Sequence, residues 1–262
     1  MLTPANRDVG PPPDGLKTEE FQLTSASGAT IAGWFITAPD TNGANATIVL
    51  FHGIRGSRGS MVSRAHLLHA AGFAVVMIDL QAHGESSGEF ISVGHLERHD
   101  VEAAVAFARE RTPDHRIAVI GQSLGGASTL MADNLNLDAI VLEAVFPTLR
   151  EAIFNRVSEK FGPLSHIPAW SLLAQFPIRL GFSANEIQPI QRLPAMRCPT
   201  QILCGSVDPH TPLTESRAMF EAACEPKQLV IFEGAGHTDF LKYDEALYSR
   251  EVIGFLTKHL VD

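Results

Sequence analysis

The sequence predicts a doubly wound α/β domain, a mostly parallel sheet covered by helices on both faces, with a small cap inserted past its middle. Two observations lead there. After an opening hairpin, short continuous apolar runs alternate with helical stretches, the pattern of strands buried on both faces of a parallel sheet. One connection, residues 146–196, far exceeds the roughly 4–6 residues usual between elements, yet it is rich in aromatic side chains.

The 262 residues suffice for one large domain, and with 45% hydrophobic and 19% charged residues the chain can bury a sizeable core. A formal charge of -9 without any lysine-rich run argues against nucleic acid as a partner. Cys198, Cys204 and Cys224 are odd in number and fall in or beside core segments, which suits free thiols in a reducing compartment. No apolar stretch approaches the roughly 18 residues of a membrane span, and no basic, then apolar, leader opens the chain. The expected location is the cytoplasm, although the start also suits the trimmed end of a longer protein.

Taken in order, residues 1–16 read as a flexible Pro-rich arm, because Pro4 and the run Pro11, Pro12 and Pro13 oppose regular structure. The α/β domain then occupies residues 17–262. Residues 20–25 and 30–37 alternate in polarity around Ser27-Gly28 and predict a hairpin. Past a turn-rich connection at 39–45, buried strands are predicted at 47–51, 73–78, 116–120, 139–142, 200–204 and 228–232. Helices are expected at 61–71, 96–109, 124–134, 213–223 and 244–260; in the last, Ile253, Leu256 and Leu260 share one face. The cap, about 146–196, carries Phe146, Phe154, Phe161, Trp170, Phe176 and Phe182. Trp170, Leu172, Leu173, Phe176 and Phe182 are expected to form an apolar wall of a binding pocket.

The chemistry begins at Gly121-Gln122-Ser123-Leu124-Gly125, which directly follows one predicted strand and opens a helix. A serine at such a strand-to-helix turn sits on a strained elbow, with Gly121, Gly125 and Gly126 giving it room. Its hydroxyl is a weak nucleophile, so it requires a base within hydrogen-bond reach and donors for a developing oxyanion. The N–H of Leu124 is aimed by the elbow itself. His237, in the glycine-rich loop after the last strand, is the candidate general base, and Asp208, in the turn after the penultimate strand, is the candidate acid. All three lie at C-terminal strand ends, where open α/β sheets place ligands.

The chain resembles the α/β-hydrolase superfamily, in the branch that includes serine aminopeptidase-like and monoacylglycerol-lipase-like proteins. Ser123, Asp208 and His237 follow the chain order of that fold. The run Asp79-Leu80-Gln81-Ala82-His83-Gly84-Glu85-Ser86 is similar to the branch's D-x-x-G-H-G-x-S turn, with Ala82 at the frequent glycine. By the same resemblance, Ile54, which follows His52-Gly53, is the second oxyanion donor through its backbone N–H, and His52 and His83 have no catalytic role. Glu143 ends an earlier strand from which some members of the fold take their acid. Asp208 is preferred because Gly205-Ser206-Val207-Asp208-Pro209 resembles the usual acid loop.

The resemblance implies acyl transfer from a small-molecule ester, thioester or amide through an acyl-enzyme, with no metal and no organic cofactor. A carboxylic ester of small or medium acyl chain is the first reading. A serine peptidase of the aminopeptidase type, an acyl-thioesterase and a noncatalytic ligand-binding protein are its rivals. His95 and His99 with Glu97 do not form the H-E-x-x-H pattern of zinc sites. Arg55 and Arg58 are read as part of a solvated loop, with attraction of a substrate carboxylate or phosphate as the lesser alternative.

Overall fold

The computed structural model describes residues 2–40 and 44–261, so positions 41–43 of the predicted 39–45 connection lie outside the described residues. Eight strands form one sheet: β1 (Thr18–Thr24), β2 (Thr30–Ile36), β3 (Ala46–Phe51), β4 (Ala74–Ile78), β5 (Arg116–Gln122), β6 (Ala139–Glu143), β7 (Thr200–Gly205) and β8 (Lys227–Phe232). Their order across the sheet is β8-β7-β6-β5-β3-β4-β2-β1. Strands β3 to β8 are mutually parallel, while β2 pairs antiparallel with both β1 and β4. The sheet is thus the mostly parallel, doubly wound one that the apolar runs predict.

The continuous apolar runs are explained by covering on both sides. In β3, Ile48 and Leu50 enter one hydrophobic core while Val49 and Phe51 enter the other, because successive side chains alternate across a strand. Helices α1 (Val62–Ala70) and α7 (Gly254–Leu260) belong to the first core. Helices α2 (Glu97–Arg111), α3 (Leu124–Met131) and α6 (Leu213–Ala222) belong to the second.

Two expectations are corrected. Proline does not leave the arm loose: Ala5 and Asn6 pair in parallel with His83 and Gly84, and the Ile91 N–H donates to the Leu2 carbonyl at 2.8 Å. A short bridge of this kind avoids every proline of the arm, so the composition does not forbid it. The predicted 244–260 helix is broken into Glu245–Tyr248, a π turn at Ser249–Ile253 and α7. Asp244 caps the first piece by accepting from the Leu247 N–H at 2.9 Å. Val252, Leu256 and Leu260 are buried, while Ile253 is half-buried.

Between β6 and β7, α4 (Leu149–Phe161) and α5 (His166–Leu180) follow one another. Thr148 starts α4 by accepting from the Glu151 N–H at 3.2 Å. Gly181, at φ 78°, ends α5 in the left-handed conformation. Leu149, Ala152 and Ile153 of α4, with Leu172 and Phe176 of α5, face the loops that carry Ile54 and Ser123.

Candidate active site

Ser123 occupies the turn between β5 and α3 with φ 47° and ψ -106°. A serine in this region is strained and persists only where its surroundings hold it. Its N–H donates to the Glu143 carbonyl at 2.8 Å, and its own carbonyl accepts from the Ala127 N–H at 2.9 Å. A Cβ on Gly125 would stand 2.5 Å from the Phe51 carbonyl oxygen, so only glycine lets α3 come this close to β3. The elbow is therefore held from both sides.

Leu124 is the first residue of α3, where N–H groups have no acceptor within the helix. With Ser123 and Ile54 it lines one cavity of about 90 Å³. That is room for several water-sized groups, each needing about 10–15 Å³. The remaining wall is apolar, from Leu2, Val93, Phe146, Leu149 and neighbours, except for Arg156. Ser123 itself is 4% exposed.

The turn after β7 and the loop after β8 are drawn together by pairing of the two strands in register, Gly205 opposite Phe232. The Val207 N–H donates to the Ala235 carbonyl at 3.1 Å, and the Gly234 N–H to Ser206 Oγ at 2.8 Å. Gly205 permits that approach, since a Cβ there would lie 2.3 Å from the Ala235 carbonyl oxygen. His237 Nδ1 consequently donates to Asp208 Oδ2 at 2.7 Å. Asp208 Oδ1 accepts from the His210 and Thr211 N–H groups at 2.7 and 3.1 Å, and Oδ2 also from the Thr211 hydroxyl at 2.7 Å. Burial would raise the Asp208 carboxyl, but the hydrogen bond and charge of His237, with Thr211, outweigh it and hold the carboxyl below the usual range. Among the described residues Ser123 and His237 are not hydrogen-bonded to each other; catalytic contacts of this type commonly tighten only with the reacting complex.

Glu143 stands at the end of β6, fully buried, but its partners lie elsewhere. Arg64 donates from Nε to Oε1 at 3.0 Å and from Nη2 to Oε2 at 2.7 Å, and the Tyr248 hydroxyl donates to Oε1 at 2.5 Å. His52 is buried: its Nδ1 donates to the Gly53 carbonyl at 2.8 Å and its Nε2 accepts from the Leu80 N–H at 3.1 Å. Burial, with the His83 ring beside it, lowers its pKa to about 3, which keeps it neutral. His83 is held to the Gln81 carbonyl at 2.8 Å.

Arg58 corrects both sequence readings. It is neither a solvated loop residue nor a ligand for substrate: it is 3% exposed, ion-paired with Asp79 and Glu85, and lies over the Trp34 ring. Ala82 has φ 58°, a left-handed conformation that glycine adopts at lower cost, which explains why glycine is frequent there in the resembling turn. Of the expected pocket wall, Leu172 and Phe176 line the cavity. Trp170 does not: it is 51% exposed and meets the Phe154 ring edge-on. Phe182 is buried between Phe176 and His95.

His95 and His99 do not converge. His95 stacks on Phe182, His99 Nδ1 pairs with Glu102 at 2.9 Å, and Glu97 accepts from the Ser92 and Gly94 N–H groups. Asp208, His210 and His237 offer ligand atoms within 4.8 Å of one another. Two of those donors already have protein partners, His237 Nδ1 at Asp208 and His210 Nε2 at Glu159. The sequence did not single out Thr211, His210 or Arg156. His210 carried a usable signal, since an aspartate in a turn commonly accepts from the backbone N–H two residues on, as Asp208 does here. The three cysteines are free, and no helix among the described residues is long and apolar enough to cross a membrane.

A match to the family described as serine aminopeptidase, S33, spans residues 42–172, half of the chain. The chain belongs to this family of hydrolases. It is also similar to the uncharacterized protein YqkD of Bacillus subtilis, 26% identical over 90% of this chain and 78% of that protein. Among solved structures, an esterase of Pyrococcus furiosus superposes with a TM-score of 0.80 at 20% identity, over 98% of this chain and 100% of that one. An acylaminoacyl peptidase of Pyrococcus horikoshii superposes with a TM-score of 0.68 at 15% identity, over 94% of this chain and 42% of that one. At such identities the superpositions establish the α/β-hydrolase fold.

Proposed function

We propose that the protein is a serine hydrolase that cleaves carboxylic esters of small or medium acyl chain. The observation that carries this reading is Ser123, held at φ 47° in the wall of an apolar cavity that also contains Ile54 and Leu124. Ser123 Oγ attacks the ester carbonyl while His237 Nε2 takes its proton. Asp208 keeps the imidazole in the tautomer with Nδ1 protonated and stabilises the imidazolium. The N–H groups of Ile54 and Leu124 receive the oxyanion. Collapse of the tetrahedral intermediate breaks the bond to the alkoxy oxygen, which leaves as alcohol with the proton from His237. Water, deprotonated by the same histidine, then releases the acid from the acyl-enzyme.

An ester is favoured over an aminoacyl amide because, among the described residues, the cavity wall contains no carboxylate to receive a free amino terminus. Glu151 is engaged with Thr148, Glu159 with His210 and Glu186 with the Ser183 N–H. The test is a panel of acetyl to octanoyl esters beside thioesters and aminoacyl amides, with fluorophosphonate labelling of Ser123. Esters should turn over fastest, and Ser123→Ala should lose labelling and on the order of 10⁶-fold in kcat. An undiminished rate in a folded Ser123→Ala variant would exclude this mechanism.

A further inference from the structure

Leu149, Ala152, Ile153 and Arg156 follow the i, i+3, i+4, i+7 spacing of one helix face, and all four line the cavity at Ser123. Three of these positions are apolar and the fourth is an arginine. Among the described residues its one hydrogen bond runs from Nη1 to the Ala152 carbonyl at 3.2 Å, within its own helix, and it has no ion-pair partner. Arg156 is half-buried, whereas Arg64 and Arg58, the buried arginines near this end of the sheet, are both paired with carboxylates. A half-buried guanidinium in an apolar wall, with no carboxylate hydrogen-bonded to it, leaves donors open to an anion that enters the cavity. Burial depresses its pKa, and the charges of Asp208 and Glu159 act in the opposite direction; arginine nevertheless remains a cation.

We propose that Arg156 is the specificity-determining residue of the acyl pocket, and that the preferred substrate is an ester whose acyl chain ends in a carboxylate, a half-ester of a dicarboxylic acid. This rests on the ester-hydrolase reading. The planar guanidinium accepts a carboxylate through two parallel N–H donors. A single negative charge also suits the site better than a dianionic phosphate, because Asp208 and Glu159 stand close enough to repel an anion.

The test compares monomethyl esters of four- to eight-carbon dicarboxylic acids with methyl esters of monocarboxylic acids of equal length, following acid release at constant pH. The wild-type protein should prefer the half-ester at one or more lengths. In Arg156→Gln that selectivity ratio in kcat/KM should fall about 10- to 100-fold, the range of one charge-assisted pair. Arg156→Lys should keep part of it. No preference at any length, or an equal ratio in wild type and Arg156→Gln, overturns the proposal. A shift of the acid limb of the kcat–pH profile by the same amount for both ester types, with the selectivity ratio unchanged, would also overturn it, by showing that Arg156 acts only through Asp208. Calorimetric titration of Ser123→Ala and of Ser123→Ala/Arg156→Gln with monomethyl glutarate and methyl pentanoate separates the two readings. Tighter binding of the half-ester, lost with Arg156, supports the arginine's role even if no ester is turned over and Ser123 is not labelled, a result that would refute the hydrolase reading alone.

Discussion

Glu143 and Asp208 are both buried carboxylates at C-terminal strand ends, and only their partners separate them. Asp208 receives His237, whereas Glu143 is locked by Arg64 and Tyr248. Asp208→Asn should therefore keep its shape but lose about 10⁴-fold in kcat, because an amide fails to hold the required histidine tautomer. Glu143→Gln should instead lower unfolding stability by roughly 3 kcal/mol, the low end for breaking a buried pair. Asp239 still pairs with Arg64 at 2.8 Å and limits that loss. Steady-state kinetics and urea denaturation of both variants decide it, and the reverse ranking in kcat would reassign the acid to Glu143. Asp208 also predicts a pH dependence. Its folded pKa lies below the usual value, so its contribution to stability is complete above the unfolded pKa of about 3.9 and is lost as pH falls through the folded one. Acid titration of Tm should show this component in the wild type and not in Asp208→Asn.

Between elements, close backbone approach sets the site geometry, and Gly205 is the test of it. A Cβ at this position would meet the Ala235 carbonyl oxygen at 2.3 Å and that of Gly236 at 2.8 Å. These are main-chain atoms of the loop that carries His237, so relief requires the loop to move as a unit. Gly205→Ala should cost about 1–3 kcal/mol of stability, as overpacking does. It should also lower kcat by 10-fold or more, roughly the effect of displacing a catalytic group by a fraction of an ångström. Thermal melts and ester kinetics together check this; full activity with lowered Tm would show that His237 is positioned by something other than the Gly205 contact. Strands β3 to β7 were legible because burial on both faces writes a largely apolar run, and the edge strand β8, only partly buried, still carries Leu229 to Phe232. The elbow was legible because glycines surround Ser123 at a strand-to-helix turn. Arg58 was not, because its partners Asp79 and Glu85 come from the next βα connection, and a local reading of a glycine-rich loop sees only solvent. Arg156 was hidden for the opposite reason: a charge on an amphipathic helix reads as surface until the helix is known to cover a cavity.

For the molecule as a whole, the arm changes how the active-site cavity is closed. Its proline content suggested a segment outside the fold, yet it is held to the turn beside the site as well as to Arg55 and Ile91. The Ala5 N–H donates to the Ala82 carbonyl at 2.7 Å, the Arg7 N–H to the Gly84 carbonyl at 2.9 Å, and Asn6 Nδ2 to the Ser86 carbonyl at 2.6 Å. Leu2 is thereby brought into the wall of the cavity that holds Ser123. It is also shared, with Leu172 and Phe176, by a groove that continues outward past Phe90 and Arg179. Leu2 thus lines both the cavity and the groove, and on the ester-hydrolase reading proposed above its side chain would limit the length of acyl group that fits between them. Deleting residues 1–8 should open that boundary. The kcat/KM ratio of octanoyl to butanoyl ester should rise about 10-fold, the lower end of what added apolar contact yields in a pocket. Tm should fall as well, because the bridge to His83 and Gly84 is lost. Leu2→Ala should raise the ratio in the same direction while keeping the bridge, whose hydrogen bonds are made by the backbone and by Asn6. An unchanged octanoyl preference in both variants would show that the acyl chain runs elsewhere and that the arm only stabilises the turn.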